Sequence, residues 1–240
     1  MNITKLYIGE LTLANYFLNF MDRAVFYDDV RNDLFNGRLS QGQVDGMEAI
    51  LNFWFNPPVQ PTGDFKANWD IRSIGWLAYM LATTFHETAY TMQPITEYGS
   101  FDYFRRYCNR ADLGNGPANG GQTDDGPRFR GRGYVQLTGR RNYTAMTPIV
   151  REFYSDSPDF TADPEAVKKP EYAAIIMFYG MFLGTFTGRA LKHYIGDPEQ
   201  GQIVDYFRAR QIINGFDKAR KIEGYAKEFE QALDKANASA

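Results

Sequence analysis

The stretch from Ile71 to Phe85 constrains the fold more than any other part of the chain. Ile71, Ile74, Trp76, Leu77, Ala78, Tyr79, Met80, Leu81, Ala82 and Phe85, set at 100° per residue, cover nearly the whole circumference of a helix. A helix that is apolar all round lies inside a protein, so the spacing predicts a buried helix over 71–88 with other elements packed around it. It ends in an ionisable pair, His86-Glu87. A carboxyl group on an interior helix loses hydration, which is expected to raise its pKa. Such a group stays protonated near neutral pH and can serve as a general acid. The plainer alternative is a structural glutamate paired with an arginine.

The rest of the chain reads as mainly helical. Residues 11–35 predict a helix with Leu13, Phe17, Phe20, Met21, Ala24 and Val25 as its stripe, ended by Asn36-Gly37. A second helix is expected from Gln43 to Phe55, with Val44, Met47, Ile50, Leu51 and Trp54 facing inward. Three prolines between Asn56 and Gly63 mark a loop inside one domain. After Pro94, Glu97 falls just past a turn, and Phe101 to Tyr107 suggests a short helix. Residues 112–133 form a long Gly-, Asn-, Asp- and Pro-rich loop, of a length usually functional in compact domains. A short strand over Tyr134 to Thr138 follows, then a turn or helix carrying Asn142. Further helices are expected over Tyr172 to Phe186, Ile203 to Ile213 and Lys218 to Leu233, with a frayed tail over Ala236 to Ala240.

Composition removes several function classes. A net charge of -3 gives no global pull toward nucleic acid or an acidic membrane surface. The single Cys108 cannot form an internal disulfide, and without Cys/His ligand spacing no metal site is expected. The longest apolar run, Ala173 to Phe186, is too short and too glycine-interrupted to span a bilayer, so no stable membrane insertion is expected. The first ten residues do not read as a signal peptide, which predicts synthesis in the cytoplasm. Aromatic residues, 16% of the chain, suit a carbohydrate cleft, although packing is their commoner use.

Two carboxylates flanking a loop, Glu87 and Glu97, suit hydrolysis of a glycosidic bond, one protonating the leaving oxygen while the other activates water. That chemistry needs no cofactor. His86-Glu87-Thr88, then Gly131-Arg132-Gly133-Tyr134-Val135-Gln136-Leu137-Thr138 with Asn142-Tyr143, then Ile213-Asn214-Gly215, follow in that order. The series resembles the glycoside hydrolase family 19 superfamily, the plant-type chitinases and the phage endolysins that share their fold, over roughly residues 40–235. The resemblance implies a lysozyme-like, bilobal α+β domain over 38–240, with a small irregular or β element beside the cleft and residues 1–37 as an N-terminal helical extension. It implies Glu87 as general acid, Glu97 as base of an inverting reaction, and Thr138 as the hydroxyl that helps hold the attacking water. Gln136, Asn142 and Asn214 would hydrogen-bond sugar groups, with Tyr134 and His86 beside them and Arg130 and Arg132 in support. Asp124 and Asp125 are rivals for the base.

Ala89-Tyr90 departs from the Gly-Gly pair common after this motif. The single cysteine, the short connection from Glu87 to Glu97, and Arg110 to Asn115 followed by Asp125 to Arg130 resemble the phage and bacterial endolysins. The implied substrate is peptidoglycan, cleaved between N-acetylmuramic acid and N-acetylglucosamine, with chitin oligomers as the alternative. Carriage in a virion or release through a holin pore would bring such a protein to the wall. Two readings from other classes stand beside this one. Arg128, Arg130, Arg132, Arg140 and Arg141 form a basic cluster that could serve nucleic acid, although pairing with the acids is the plainer use. A non-catalytic virion or wall-binding protein could carry the same fold.

Overall fold

The structure, a computed structural model, describes residues 21–121 and 124–239. Its architecture is mainly α, with one sheet of two short strands among the described residues. Helix α1 (Arg23–Asp33) starts where the Asp22 carboxylate accepts the Ala24 and Val25 N–H groups at 2.9 and 3.2 Å. Its buried face is Phe26 and Val30, while Ala24 is exposed; Leu13, Phe17 and Phe20 of the expected stripe lie outside the described residues. Phe26 and Val30 belong to the same core as the rest of the chain, so the described part of 1–37 is packed in.

Helix α2 (Gln41–Phe55) opens with a reciprocal cap. Gln43 N–H donates to Ser40 Oγ at 3.2 Å, and Ser40 N–H donates to Gln43 Oε1 at 2.8 Å. Met47, Ile50, Leu51 and Trp54 are buried as expected, while Val44 is only partly so. Helix α3 (Gly63–Asp70), which the sequence reading left without an element, buries Phe65 and Trp69. Helix α4 (Ile74–Glu87) is the expected central helix, with every residue from Gly75 to Phe85 buried. Ile71 lies outside it and is 59% exposed.

Strand β1 (Ile95–Thr96) pairs antiparallel with β2 (Arg132–Gly133), Ile95 facing Gly133. The expected strand over 134–138 is instead a tight turn. Gly133 and Gln136 adopt φ 85° and 53°, which an extended strand excludes, and Leu137 closes back on Arg132 through hydrogen bonds of 2.8 and 3.2 Å. Single helical turns α5 (Phe101–Phe104) and α6 (Asp125–Arg128) punctuate the long loops, and α7 (Arg140–Phe153) carries Asn142.

Helix α8 (Pro170–Leu183) is apolar on all sides, begins with proline at its first position and stops at Gly184 (φ 72°). The helices α2 and α3 pack on it. Phe53, Trp54, Phe65, Trp69, Phe178 and Phe182 gather there with ring centroids 4.7–6.2 Å apart, so much of the aromatic content is core. The helix expected over Ile203 to Ile213 is only the turn α9 (Tyr206–Ala209), followed by a 3₁₀ turn; Ile203 is 79% exposed. The last helix, α10 (Ala219–Ala238), lies along α4 and α1. The tail expected to fray is helical through Ala238. Ala236 is fully buried, and its carbonyl accepts the Asp22 N–H at 3.0 Å.

Candidate active site

Glu87 is the last residue of α4, and the Thr88 that follows anchors the turn below it. Thr88 Oγ1 donates to the Thr84 carbonyl at 2.7 Å and accepts the Met92 N–H at 3.1 Å. Ala89 and Tyr90 take φ 49° and 68°, the left-handed region that glycine enters most easily. These are the positions where this chain departs from Gly-Gly. Tyr90 compensates by packing edge-on against Phe85 (4.7 Å) and accepting a 2.6 Å hydrogen bond from Lys221.

The Glu87 carboxylate has an arginine partner. Arg210, itself 2% exposed, donates from Nη1 to Glu87 Oε1 at 2.6 Å, and its Nε donates to the Asp217 carbonyl at 3.0 Å. The arginine pairing of the plainer reading is therefore present, and the same carboxylate lines a cleft. An ion pair and a cleft position are compatible, because one carboxylate oxygen is left without a protein hydrogen bond among the described residues.

Glu97 follows β1 directly and is held by neutral groups. Tyr107 donates its hydroxyl to Oε1 at 2.9 Å, Gly131 N–H donates to Oε2 at 3.1 Å, and the Glu97 N–H returns a 2.8 Å bond to the Gly131 carbonyl. Arg106 stands farther off, 3.8 Å from Oε1. Burial raises the Tyr107 phenol above its ordinary pKa against the pull of Arg106, and Glu97 adds to the rise, so Tyr107 remains a donor. Gly131 is required by space. A Cβ there would lie 2.8 Å from Gln136 Oε1 and 3.1 Å from Glu97 Oε2.

Glu87 and Glu97 line one cleft of about 620 Å³, together with Gln136, Thr138, Asn142 and Asn214. The turn that replaces the expected strand presents Gln136 and Thr138, and the start of α7 presents Asn142. Thr138 Oγ1 donates to the Gln136 carbonyl (2.8 Å), Asn142 Nδ2 donates to the Thr138 carbonyl (2.8 Å), and Gln136 Nε2 donates to the Gly133 carbonyl (3.2 Å). The oxygens of all three side chains keep lone pairs for a ligand. Asn214 is exposed, just beyond the 3₁₀ turn over Arg210–Ile212 that follows α9 and carries Arg210.

Four expected site residues sit elsewhere. Tyr134 is fully buried, its hydroxyl 3.4 Å from the Gly46 carbonyl, so it is a core side chain and cannot touch a ligand. His86 is half-buried and does not line the cleft; burial lowers its pKa below 6.5. Arg132, 3% exposed, donates to Glu165 at 2.8 Å, to Tyr143 Oη at 2.9 Å and to the Arg128 carbonyl, bracing the turn from behind. Arg130 donates to the Pro127 carbonyl at 2.9 Å. Neither arginine pairs with Glu87 or Glu97.

The rival bases are loop anchors. Asp124 accepts the Asn119 and Gly120 N–H groups at 3.0 and 2.9 Å, and Asp125 accepts the Gly116 N–H at 2.7 Å together with a two-point contact from Arg140. That Arg140 pairing holds the Asp125 carboxyl below its ordinary value. Within the basic cluster, Arg128 is likewise spent on the Thr161 and Ala162 carbonyls.

Sequence reasoning missed Arg210, Tyr107 and Arg106. Arg210 lies in the polar stretch Arg208-Ala209-Arg210-Gln211, three residues before the Ile-Asn-Gly motif, and carried no signal of its own. Tyr107 carried none, since its role depends on a loop fold.

No protein-family model matches the chain, and no curated protein matches it either. Among solved structures it is similar to a bacterial family 19 chitinase, at 18% identity and a TM-score of 0.46, covering 88% of this chain and 93% of that one. It is also similar to a mutant of chitinase C, at 17% identity and TM-score 0.46, over 94% and 95% of the two chains. Chitinase C from Streptomyces griseus HUT6037 gives 20% identity and TM-score 0.46, over 88% and 91%.

Proposed function

We propose that this protein is a glycoside hydrolase that cleaves the β-1,4 bonds of peptidoglycan by an inverting, two-carboxylate mechanism. The observation that carries the reading is the shared cleft, in which two carboxylates from consecutive elements stand with amide and hydroxyl side chains. The ordered motifs around Glu87, Gly131 to Thr138 and Asn214 support it from the sequence side.

Glu87 in its protonated form gives its proton to the bridging oxygen as the bond from that oxygen to the anomeric carbon breaks. Glu97 takes a proton from a water molecule, whose oxygen attacks the anomeric carbon from the opposite face. Tyr107 and Gly131 hold Glu97 in place for this. Thr138, its own proton committed to the Gln136 carbonyl, offers lone pairs to orient that water. Asn142 and Asn214 face the cleft as partners for N-acetyl and hydroxyl groups. The product is a reducing end at muramic acid with inverted configuration.

Purified peptidoglycan and chitin oligomers are incubated side by side with the wild type and Glu87→Gln. Muropeptides with new reducing ends at muramic acid, absent with the variant, are expected, because an amide cannot donate the catalytic proton. The loss should exceed about a thousandfold while the circular dichroism spectrum is unchanged. Cleavage of chitin oligomers alone would move the substrate to chitin, and normal turnover by Glu87→Gln would refute the mechanism.

A further inference from the structure

We infer that Arg141 makes the cleft selective for a glycan that bears carboxylates, by pairing with one of them. The inference rests on the cleft being a glycan-binding site and deepens that reading by naming a charge the glycan must carry.

Three carboxylates line the cleft, Glu87, Glu97 and Asp112, with two arginines, Arg110 and Arg141. Glu87 has Arg210 at 2.6 Å and Asp112 has Arg110 at 2.7 Å, while Glu97 is held by Tyr107 and Gly131. Arg141 also lines the cleft, is exposed, and makes no side-chain hydrogen bond or ion pair among the described residues. Its nearest competitor for a partner, Asp112, is already gripped at both oxygens by Arg110. The neighbouring Arg140 is turned the other way, with Nε on Asp125 Oδ2 at 2.7 Å. Two adjacent arginines thus have opposite fates, one consumed by the fold and one left facing the cleft.

The position of Arg141 is built by the loop before it. Gly114 (φ 67°) lies so close that a Cβ there would come within 2.9 Å of the Arg141 Cβ. Asn115 ties the same junction from both sides, accepting the Arg140 N–H at 2.8 Å and donating to the Tyr107 carbonyl at 2.8 Å. Arg141 therefore stands on a fixed base beside the residues that hold Glu97. An unpaired guanidinium there favours a ligand that brings a carboxylate, which it can grip in two-point fashion. Neutral N-acetylglucosamine oligomers bring none. Peptidoglycan brings them on its stem peptides and, where the peptide has been removed, on the lactyl group of muramic acid.

The test measures kcat and KM for wild type, Arg141→Gln and Arg141→Lys on three substrates: peptide-bearing glycan strands, strands stripped of peptide by an amidase, and neutral N-acetylglucosamine oligomers. Arg141→Gln should reduce the preference for carboxylate-bearing over neutral substrate roughly tenfold, through KM, and Arg141→Lys should restore much of it. Raising the salt should erode the wild-type preference. A loss confined to peptide-bearing strands assigns the contact to the stem peptide; a loss that persists on stripped strands assigns it to the lactyl carboxylate. Equal effects on all three substrates, or none, overturn the inference. Equilibrium binding of the same glycans to Glu87→Gln and to its Arg141→Gln double variant separates the two readings. Failure of the wild type to hydrolyse any of them refutes the glycosidase, whereas an anionic preference indifferent to Arg141 refutes the present inference alone.

Discussion

Glu87 and Glu97 are the same functional group held in opposite ways. Glu87 ends a buried helix and is fixed by charge, through an arginine that is itself buried. Glu97 sits on a hairpin edge and is fixed mainly by a phenol and a backbone amide. Charge holds one carboxylate at the cost of a second desolvated ion, so its removal exposes a deficit. Neutral donors hold the other by geometry alone, so small shape changes matter more there than the loss of any one bond.

The largest effect expected from breaking this contrast is at Arg210. Arg210→Met leaves Glu87 without its counter-charge, which should cost about 3 kcal/mol in a urea titration and most of the activity as well. On the other shelf, Gly131→Ala should do the reverse. The new Cβ meets chiefly the ends of Gln136 and Glu97, with the Gln136 Cβ at 3.3 Å, so the melting temperature should move little. If Glu97 is the base proposed above, displacing it by a fraction of an ångström should still lower kcat about tenfold. A parallel fall in stability and activity would show that Glu97 is held no differently from Glu87. Tyr107→Phe removes one neutral hydrogen bond to Glu97, and kcat/KM should fall roughly fivefold, equivalent to about 1 kcal/mol.

The smallest effect is one of pH. Burial lowers the His86 pKa, so the folded protein binds fewer protons there than the unfolded chain does. His86 should therefore leave stability intact above its ordinary value of 6.5 and erode it as the pH falls below. Across that range, the denaturation midpoint of the wild type should fall relative to that of His86→Gln as the pH is lowered. Parallel curves would place the acid sensitivity elsewhere.

The sequence was most legible where one periodicity dominated. Helix α4 was readable because its apolar residues leave no polar face, and α2 and α10 because theirs do. The stretch from Tyr134 to Thr138 reads as a strand but folds as a turn, since Gln136 has no residue-type bias toward φ 53° and adopts it only in this packing. Tyr134 looked like a ligand contact through its place in a polar motif, yet burial depends on what packs over it. Gln136, Thr138, Asn142 and Asn214 line one cleft. Arg210 was invisible as a partner because nothing in its neighbourhood points to Glu87, and Ala236 looked like a tail until α1 covered it.

The ion pair between Glu87 and Arg210 spans 123 positions of the chain. A ribosome delivers the glutamate long before the arginine. Throughout that interval the nascent chain carries an end of its central helix that is apolar, acidic and uncompensated, and the cleft has only one finished wall. Truncation anywhere before residue 210 would freeze the protein in that condition, whereas loss of residues after the α10 core contacts would not. The cleft therefore cannot be assembled until the chain has been made at least as far as Arg210.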